Sequence, residues 1–174
     1  MTAPADAGTL PAPRTPGTYR VAMVCLGNIC RSPMAHVVLE SALVDAGLDD
    51  RVEVESSGTG GWHVGQPMDE RAALELSVAG YDASAHRARQ YDASWLDRCD
   101  LLLAMDRSNL ADLGGRSARV RLLGEFDPQA RGAEVADPYY GGDDGFEEVR
   151  EQVERAADEL VVLLRARLDP LADL

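Results

Sequence analysis

Cys25 and Arg31 enclose five residues, and Ser32 follows directly: the stretch reads Cys25-Leu26-Gly27-Asn28-Ile29-Cys30-Arg31-Ser32. A thiol, a guanidinium and a hydroxyl at this spacing suit nucleophilic attack on a tetrahedral oxyanion. Arg31 supplies a planar fork that binds two oxygens at once. A tight loop entering a helix turns several backbone N–H groups into one concavity, and the helix dipole adds partial positive charge there. Gly27 and Asn28 tolerate the left-handed backbone that such a turn needs. Cys25 stands at the start of the loop, where the helix terminus and the guanidinium favour thiolate over thiol. A thiolate beside an oxyanion cradle is a nucleophile aimed at phosphorus, and the Ser32 hydroxyl can stabilise it as leaving group. The bland alternative makes Cys25 and Cys30 small buried hydrophobes in a turn, and leaves the fixed Arg-Ser spacing without a reason.

The surrounding pattern must hold this loop between a strand and a helix. Arg20–Val24 is β-like, and Ser32 and Pro33 suit the cap and first position of a helix that runs to Gly47. Arg51–Ser56 alternates as a strand, Ser57–Gly65 is a glycine-rich surface loop, and helices are expected at Pro67–Ala79 and Tyr91–Arg98. Asp100–Met105 is an apolar run suited to a buried parallel strand. Arg107–Leu113 reads as a helix, Arg119–Leu123 as a strand, Gly124–Gly145 as a long functional loop, and Phe146–Leu168 as the closing helix. This alternation predicts an α/β fold: a single-domain, open, four-stranded, mostly parallel sheet with helices on both faces. Ligands of such sheets bind beyond the carboxyl ends of the strands, where Cys25 is delivered. Residues 1–18, rich in Ala, Pro, Thr and Gly, are expected to be a flexible tail before a domain at 19–174.

Composition narrows the partners. The 17 basic residues, all Arg, face 30 acidic ones, for a net charge of −13. Nucleic acid and anionic membranes repel such a surface. No apolar run is long enough for a spanning helix, and no signal peptide is evident. Three cysteines (25, 30 and 99) are too few and too scattered for a secreted disulfide scaffold, which favours a reduced, cytoplasmic setting. Cys99 reads as core-facing. The histidines at 36, 63 and 86 are too dispersed for a metal site; His36 and His63 read as surface residues.

VCLGNICRSP (Val24–Pro33) resembles the active-site signature of the low-molecular-weight protein tyrosine phosphatases. Ser56–Asp69 (SSGTGGWHVGQPMD), His86–Gln90 (HRARQ), Ala104–Asn109 (AMDRSN) and Asp137–Gly142 (DPYYGG) extend the likeness over nearly the whole chain after residue 19. The resemblance implies hydrolysis of phosphotyrosine and small aryl phosphates through a phosphocysteine on Cys25, with no metal or cofactor. Arg31 and the amides of the loop from Leu26 to Ser32 would hold the phosphoryl oxygens. Asp137 would be general acid and then base. A second Asp-Pro, at Asp127, competes for that role in composition, and the resemblance chooses Asp137 because two tyrosines follow it. Trp62 and Tyr139 would flank the substrate ring, with Tyr140 at the rim. Asn28, Ser56 and His86 would support the loop, and Cys30 would guard the nucleophile by reversible disulfide formation.

The resemblance implies inorganic phosphate as product and inhibitor; a monomer is the default expectation. Related chemistries compete on the same loop. A thioredoxin-coupled arsenate reductase needs two further paired cysteines, and only Cys99 is left. In phosphoarginine phosphatases the position of Ile29 carries Thr. A module that binds phosphate without turnover would lack Cys25, Arg31 or Asp137, and all three are present.

Overall fold

Four short β-branched or leucine-rich runs pair into one sheet in the computed structural model, which describes residues 9–142 and 144–169. They are β1 (Tyr19–Cys25), β2 (Val52–Gly58), β3 (Leu101–Ala104) and β4 (Val120–Leu122). The order is β2-β1-β3-β4, and every pair is parallel, so the expected mostly parallel sheet is parallel throughout. Cys25 pairs with Gly58, and Val24 with Ala104. The carboxyl ends of three strands therefore converge on one edge, the edge where ligands of open α/β sheets bind.

Helices cover both faces. α1 (Arg31–Asp45), α2 (Glu70–Val78) and α5 (Asp144–Leu168) pack on one side, with Met34, Leu39, Leu76, Val153 and Leu160 fully buried against Val21 and Met23. α3 (Ser94–Arg98) and α4 (Arg107–Asp112) cover the other, where Trp95, Cys99 and Leu113 meet Ala22, Val24 and Leu102. β1 thus sends alternate side chains into two cores, as a doubly covered strand must. Cys99 is buried as expected, and burial pushes its thiol up to about 11.

Several expected boundaries shift. α2 starts at Glu70 because Asp69 caps it, accepting from the Arg71 amide at 2.9 Å. α3 starts at Ser94 rather than Tyr91. Leu123–Phe126, placed in strand and loop by pattern, is a 3₁₀ turn. Ser32 is not the cap of α1; Cys30 occupies that position and makes no side-chain bond, while the Ser32 hydroxyl turns back to the loop.

Residues 1–8 of the expected tail lie outside the described residues. Residues 9–18 lie along the domain. Leu10 is buried in the α1/α5 core, and Tyr19 Oη donates to the Pro11 carbonyl at 2.9 Å. The Arg14 amide and guanidinium bond Asp100 Oδ1 at 2.6 Å and the Cys99 carbonyl at 3.0 Å.

Candidate active site

The loop between β1 and α1 curls because Asn28 adopts φ 57°, the sole non-glycine in the left-handed region among the described residues. Asparagine takes that conformation more readily than other side chains. Gly27, expected to share the strain, does not; its lack of a side chain serves contact instead, since a Cβ there would sit 3.0 Å from His63 Cδ2.

Backbone bonds from neighbouring segments fix the loop. Thr59 N donates to the Cys25 carbonyl and Gly60 N to that of Leu26, both at 2.9 Å; Asp69 N reaches the Ile29 carbonyl at 2.9 Å. Gly58 presses against it so closely that a Cβ would meet the Leu26 carbonyl oxygen at 2.7 Å.

Cys25 Sγ is nearly enclosed, with Ser32 Oγ at 2.9 Å and the Asn28 amide donating at 3.3 Å. Ser32 Oγ also accepts from Asn28 Nδ2 at 2.8 Å and reaches the Ser57 carbonyl at 3.4 Å. With Asn28 Nδ2 as donor to its oxygen, the Ser32 hydroxyl proton is free to point to the sulfur or to Ser57.

Arg31 is buried, and its charge is held from two sides. Nη1 donates to Asp106 Oδ2 at 2.7 Å and to the Val135 carbonyl at 3.0 Å; Nη2 lies 3.6 Å from Asp137 Oδ2. Asp106 is a residue that the sequence reading missed. Its signal was position: it directly follows the buried strand run Asp100–Met105, at the ligand-binding edge of the sheet.

These groups open into a pocket of about 300 Å³. Cys25, Leu26, Gly27, Ile29, Cys30 and Arg31 form its floor, and Trp62, Asp137, Tyr139 and Tyr140 its walls. Asn28 and Ser32, expected at the phosphate, do not line the pocket; they are fully buried and brace the loop from behind. Tyr139 and Tyr140 contact edge to face at 4.9 Å, and Arg71 lies 5.4 Å from the Tyr139 ring centroid and bonds the Tyr139 carbonyl. Trp62 folds over Gly60, where any Cβ would overlap its ring. His63, read from sequence as a surface residue, also lines the pocket.

The supporting trio divides. His86 Nε2 donates to the Asn28 carbonyl at 2.7 Å, and burial pushes its imidazole toward the neutral form. Asn28 Oδ1 accepts from Arg89 N at 2.9 Å. Ser56 bonds neither of them; its hydroxyl meets His36 Nδ1 at 3.1 Å, and His36 Nε2 pairs with Glu40 at 3.0 Å, so His36 is not a free surface residue. Asp127 lies away from the pocket lining, buried and clamped by Arg155 through two bonds of 2.9 Å. Cys30 is buried in the floor, and burial pushes its thiol far above the ordinary range.

Known proteins share this architecture. The sequence profile described as low molecular weight phosphotyrosine protein phosphatase matches residues 20–169. A low molecular weight protein-tyrosine-phosphatase of Streptomyces coelicolor is 46% identical over 160 residues, which covers 87% of this chain and 97% of that one. A low molecular weight protein-tyrosine phosphatase A of Mycobacterium tuberculosis is 48% identical over 141 residues, covering 78% and 85%. A crystal structure of a protein tyrosine phosphatase from Entamoeba histolytica superposes with a TM-score of 0.80 at 30% identity, over 90% of this chain and 100% of that chain. With its profile matched from the first strand to the end of the last helix, this chain belongs to the low molecular weight phosphotyrosine protein phosphatase family.

Proposed function

We propose that the chain hydrolyses phosphotyrosine, in proteins and in small aryl phosphates, through a phosphocysteine. The observation that carries the reading is the buried Arg31, aimed by Asp106 and Val135 at the floor where Cys25 Sγ sits under the loop. In this mechanism the Cys25 thiolate attacks phosphorus, and the bond to the aryl oxygen breaks. Arg31 and the loop amides hold the equatorial oxygens, whose charge dominates phosphoryl transfer. Asp137 lies 3.6 Å from Arg31 on the open side of the pocket, and gives its proton to the departing phenolate oxygen. Water then attacks phosphorus and passes a proton to Asp137. The S–P bond breaks with the Ser32 hydroxyl donating to the leaving sulfur, and inorganic phosphate departs.

The walls support an aryl substrate. Trp62 and Tyr139 offer apolar faces for a ring, and their depth leaves a shorter phosphoserine out of reach of Cys25. The hydrocarbon side chain of Ile29 offers no hydroxyl to a guanidinium nitrogen, which disfavours phosphoarginine. Three free cysteines support a reducing, cytoplasmic setting.

The test is release of p-nitrophenol from its phosphate ester, compared with phosphotyrosine, phosphoserine and phosphoarginine peptides. Wild type should turn over the two aryl esters. Cys25→Ser should bind without turnover. Asp137→Ala should lose about a hundredfold or more in kcat while it still binds phosphate. Turnover by Cys25→Ser, or a preference for phosphoarginine, overturns the reading.

A further inference from the structure

The Asp137 side chain is 38% exposed, yet both of its oxygens are oriented. Oδ2 faces Arg31 Nη2 at 3.6 Å, and Oδ1 accepts from the Tyr139 amide at 3.1 Å. A carboxyl oxygen that accepts an N–H bond leaves the proton to the other oxygen. The proton to be delivered therefore sits on Oδ2, on the pocket side. Its aim depends on where the Asp137-Pro138-Tyr139 turn is held, because the orienting amide belongs to that turn.

Arg71, in the first turn of α2, holds the turn from outside. Its Nη2 carries two protons. One goes to the Tyr139 carbonyl at 3.1 Å, the other to Asp69 Oδ2 at 3.1 Å, while Nε donates to Asp69 Oδ1 at 3.2 Å. The guanidinium also lies 5.4 Å from the Tyr139 ring centroid and 4.8 Å from that of the buried Phe146 of α5. Asp69 is itself fixed to the phosphate loop, since its amide donates to the Ile29 carbonyl at 2.9 Å. One run of bonds thus passes from Ile29 through Asp69, Arg71 and Tyr139 to Asp137, from the floor of the pocket to its acid. A planar guanidinium can serve a carboxylate and a carbonyl together, which an ammonium point charge cannot do with the same geometry.

We propose that Arg71 is a positioning residue for proton delivery. By tying the Tyr139 carbonyl to Asp69, it fixes the amide that orients Asp137 and sets the acid at a defined place above the phosphate loop. Arg71 does not line the pocket, so it acts through Tyr139 and Asp137 and not on the substrate. Its loss slows the departure of leaving groups that need a proton and leaves phosphate binding intact. This inference rests on the phosphotyrosine reading of the pocket, with Asp137 as acid.

The experiment compares kcat/KM for phenyl phosphate, whose phenolate leaves poorly, with that for p-nitrophenyl phosphate, whose phenolate leaves readily. The ratio of the first to the second reports proton delivery during P–O cleavage. Asp137→Ala should lower this ratio about tenfold or more. Arg71→Met, which keeps an apolar stem beside Phe146, should lower it about three- to tenfold, with inhibition by inorganic phosphate within about twofold of wild type. In the double variant Asp137→Ala/Arg71→Met the ratio should stay where Asp137→Ala alone puts it, because no acid is left to position. A purely structural role would slow both esters alike and leave the ratio unmoved. A wild-type ratio in Arg71→Met overturns the proposal, as does a further fall of the ratio in the double variant. Should Arg71→Met not fold, Arg71→Lys is read on the same two esters, and a wild-type ratio there overturns the proposal equally. If Asp137→Ala leaves the ratio unchanged, the assignment of the acid fails and the proposal with it; a ratio that responds to Asp137→Ala and not to Arg71→Met removes this inference alone.

Discussion

Asp106 serves Arg31 with one carboxylate oxygen and its own helix with the other. Oδ2 accepts from Arg31 Nη1 at 2.7 Å, and Oδ1 accepts from the Asn109 amide at 2.7 Å as the cap of α4. The Arg31 guanidinium is therefore anchored to the N-terminal end of α4.

Asp106→Asn should keep the cap through its amide oxygen and turn a donor toward Arg31. Its kcat/KM on p-nitrophenyl phosphate should fall about ten- to a hundredfold, because an Arg31 displaced by about 1 Å no longer meets the transition state. Inhibition by inorganic phosphate should weaken in parallel. Asp106→Ala should show the same kinetic loss and, without the cap, an additional stability loss of about 1 kcal/mol in denaturant unfolding.

Gly58→Ala should damage the loop without touching substrate. The added Cβ would meet the Leu26 carbonyl oxygen at 2.7 Å and the Asn28 amide nitrogen at 3.0 Å, both backbone atoms that cannot rotate away. A cost of about 1–3 kcal/mol in stability is expected, with a kcat/KM loss of about tenfold or more as the amides leave their positions. Urea unfolding and steady-state kinetics read the two effects separately.

Asp127 should matter to stability and not to turnover. The Arg155 bonds hold its carboxyl below the usual range even though it is buried. A depressed carboxyl contributes stability above its unfolded value of about 3.9, and loses it as pH falls through the folded value. Asp127→Ala leaves Arg155 without its partner and should cost roughly 3 kcal/mol near neutral pH. The gap between variant and wild-type thermal midpoints should close as pH drops below about 4, while kcat at neutral pH stays near wild type.

Cys30 should behave as a thiol that answers only after Cys25 has been oxidised. Its burial, with Asp69 beside it, disfavours a thiolate, so brief iodoacetate treatment near neutral pH should label Cys25 first in a peptide map. With peroxide, the Cys25 sulfur takes one oxygen to become a sulfenic acid, and the other oxygen of the peroxide leaves as water. The Cys30 sulfur then attacks it, and water leaves as the disulfide forms. Dithiothreitol should restore wild type after peroxide more fully than Cys30→Ala; equal recovery would remove the protective role.

The chemistry of the loop was legible because Cys25, Arg31 and Ser32 are close in sequence and the bonds among Cys25, Asn28 and Ser32 are local. The sheet was legible for a similar reason, since Leu101–Ala104 is apolar on both faces. Asp106 was not legible, because its partner Arg31 lies 75 positions away and only the strand pairing brings them together. Asp127 and Asp137 share the same dipeptide context, and what separates them is the placement of α5, whose Arg155 takes one and leaves the other at the pocket. Ser32 looked like a helix cap because serine usually is one; the sulfur and the Asn28 amide compete for the same oxygen and win. Nothing in the sequence around His63 gives it a role, and only the packing against Gly27 shows where the ring goes.

The segment ahead of β1 has a consequence for where this protein begins as a folding unit. Family similarity starts at residue 20, yet Leu10 fills part of the core, and the Pro11 carbonyl accepts a hydrogen bond from the hydroxyl of Tyr19, a residue wholly sealed from water. Trimming the chain to its homologous core would strand that hydroxyl without an acceptor and uncover leucine-sized apolar surface beneath it. What is inherited and what is cooperative thus have different edges, and the first strand is secured by residues that ancestry alone would discard.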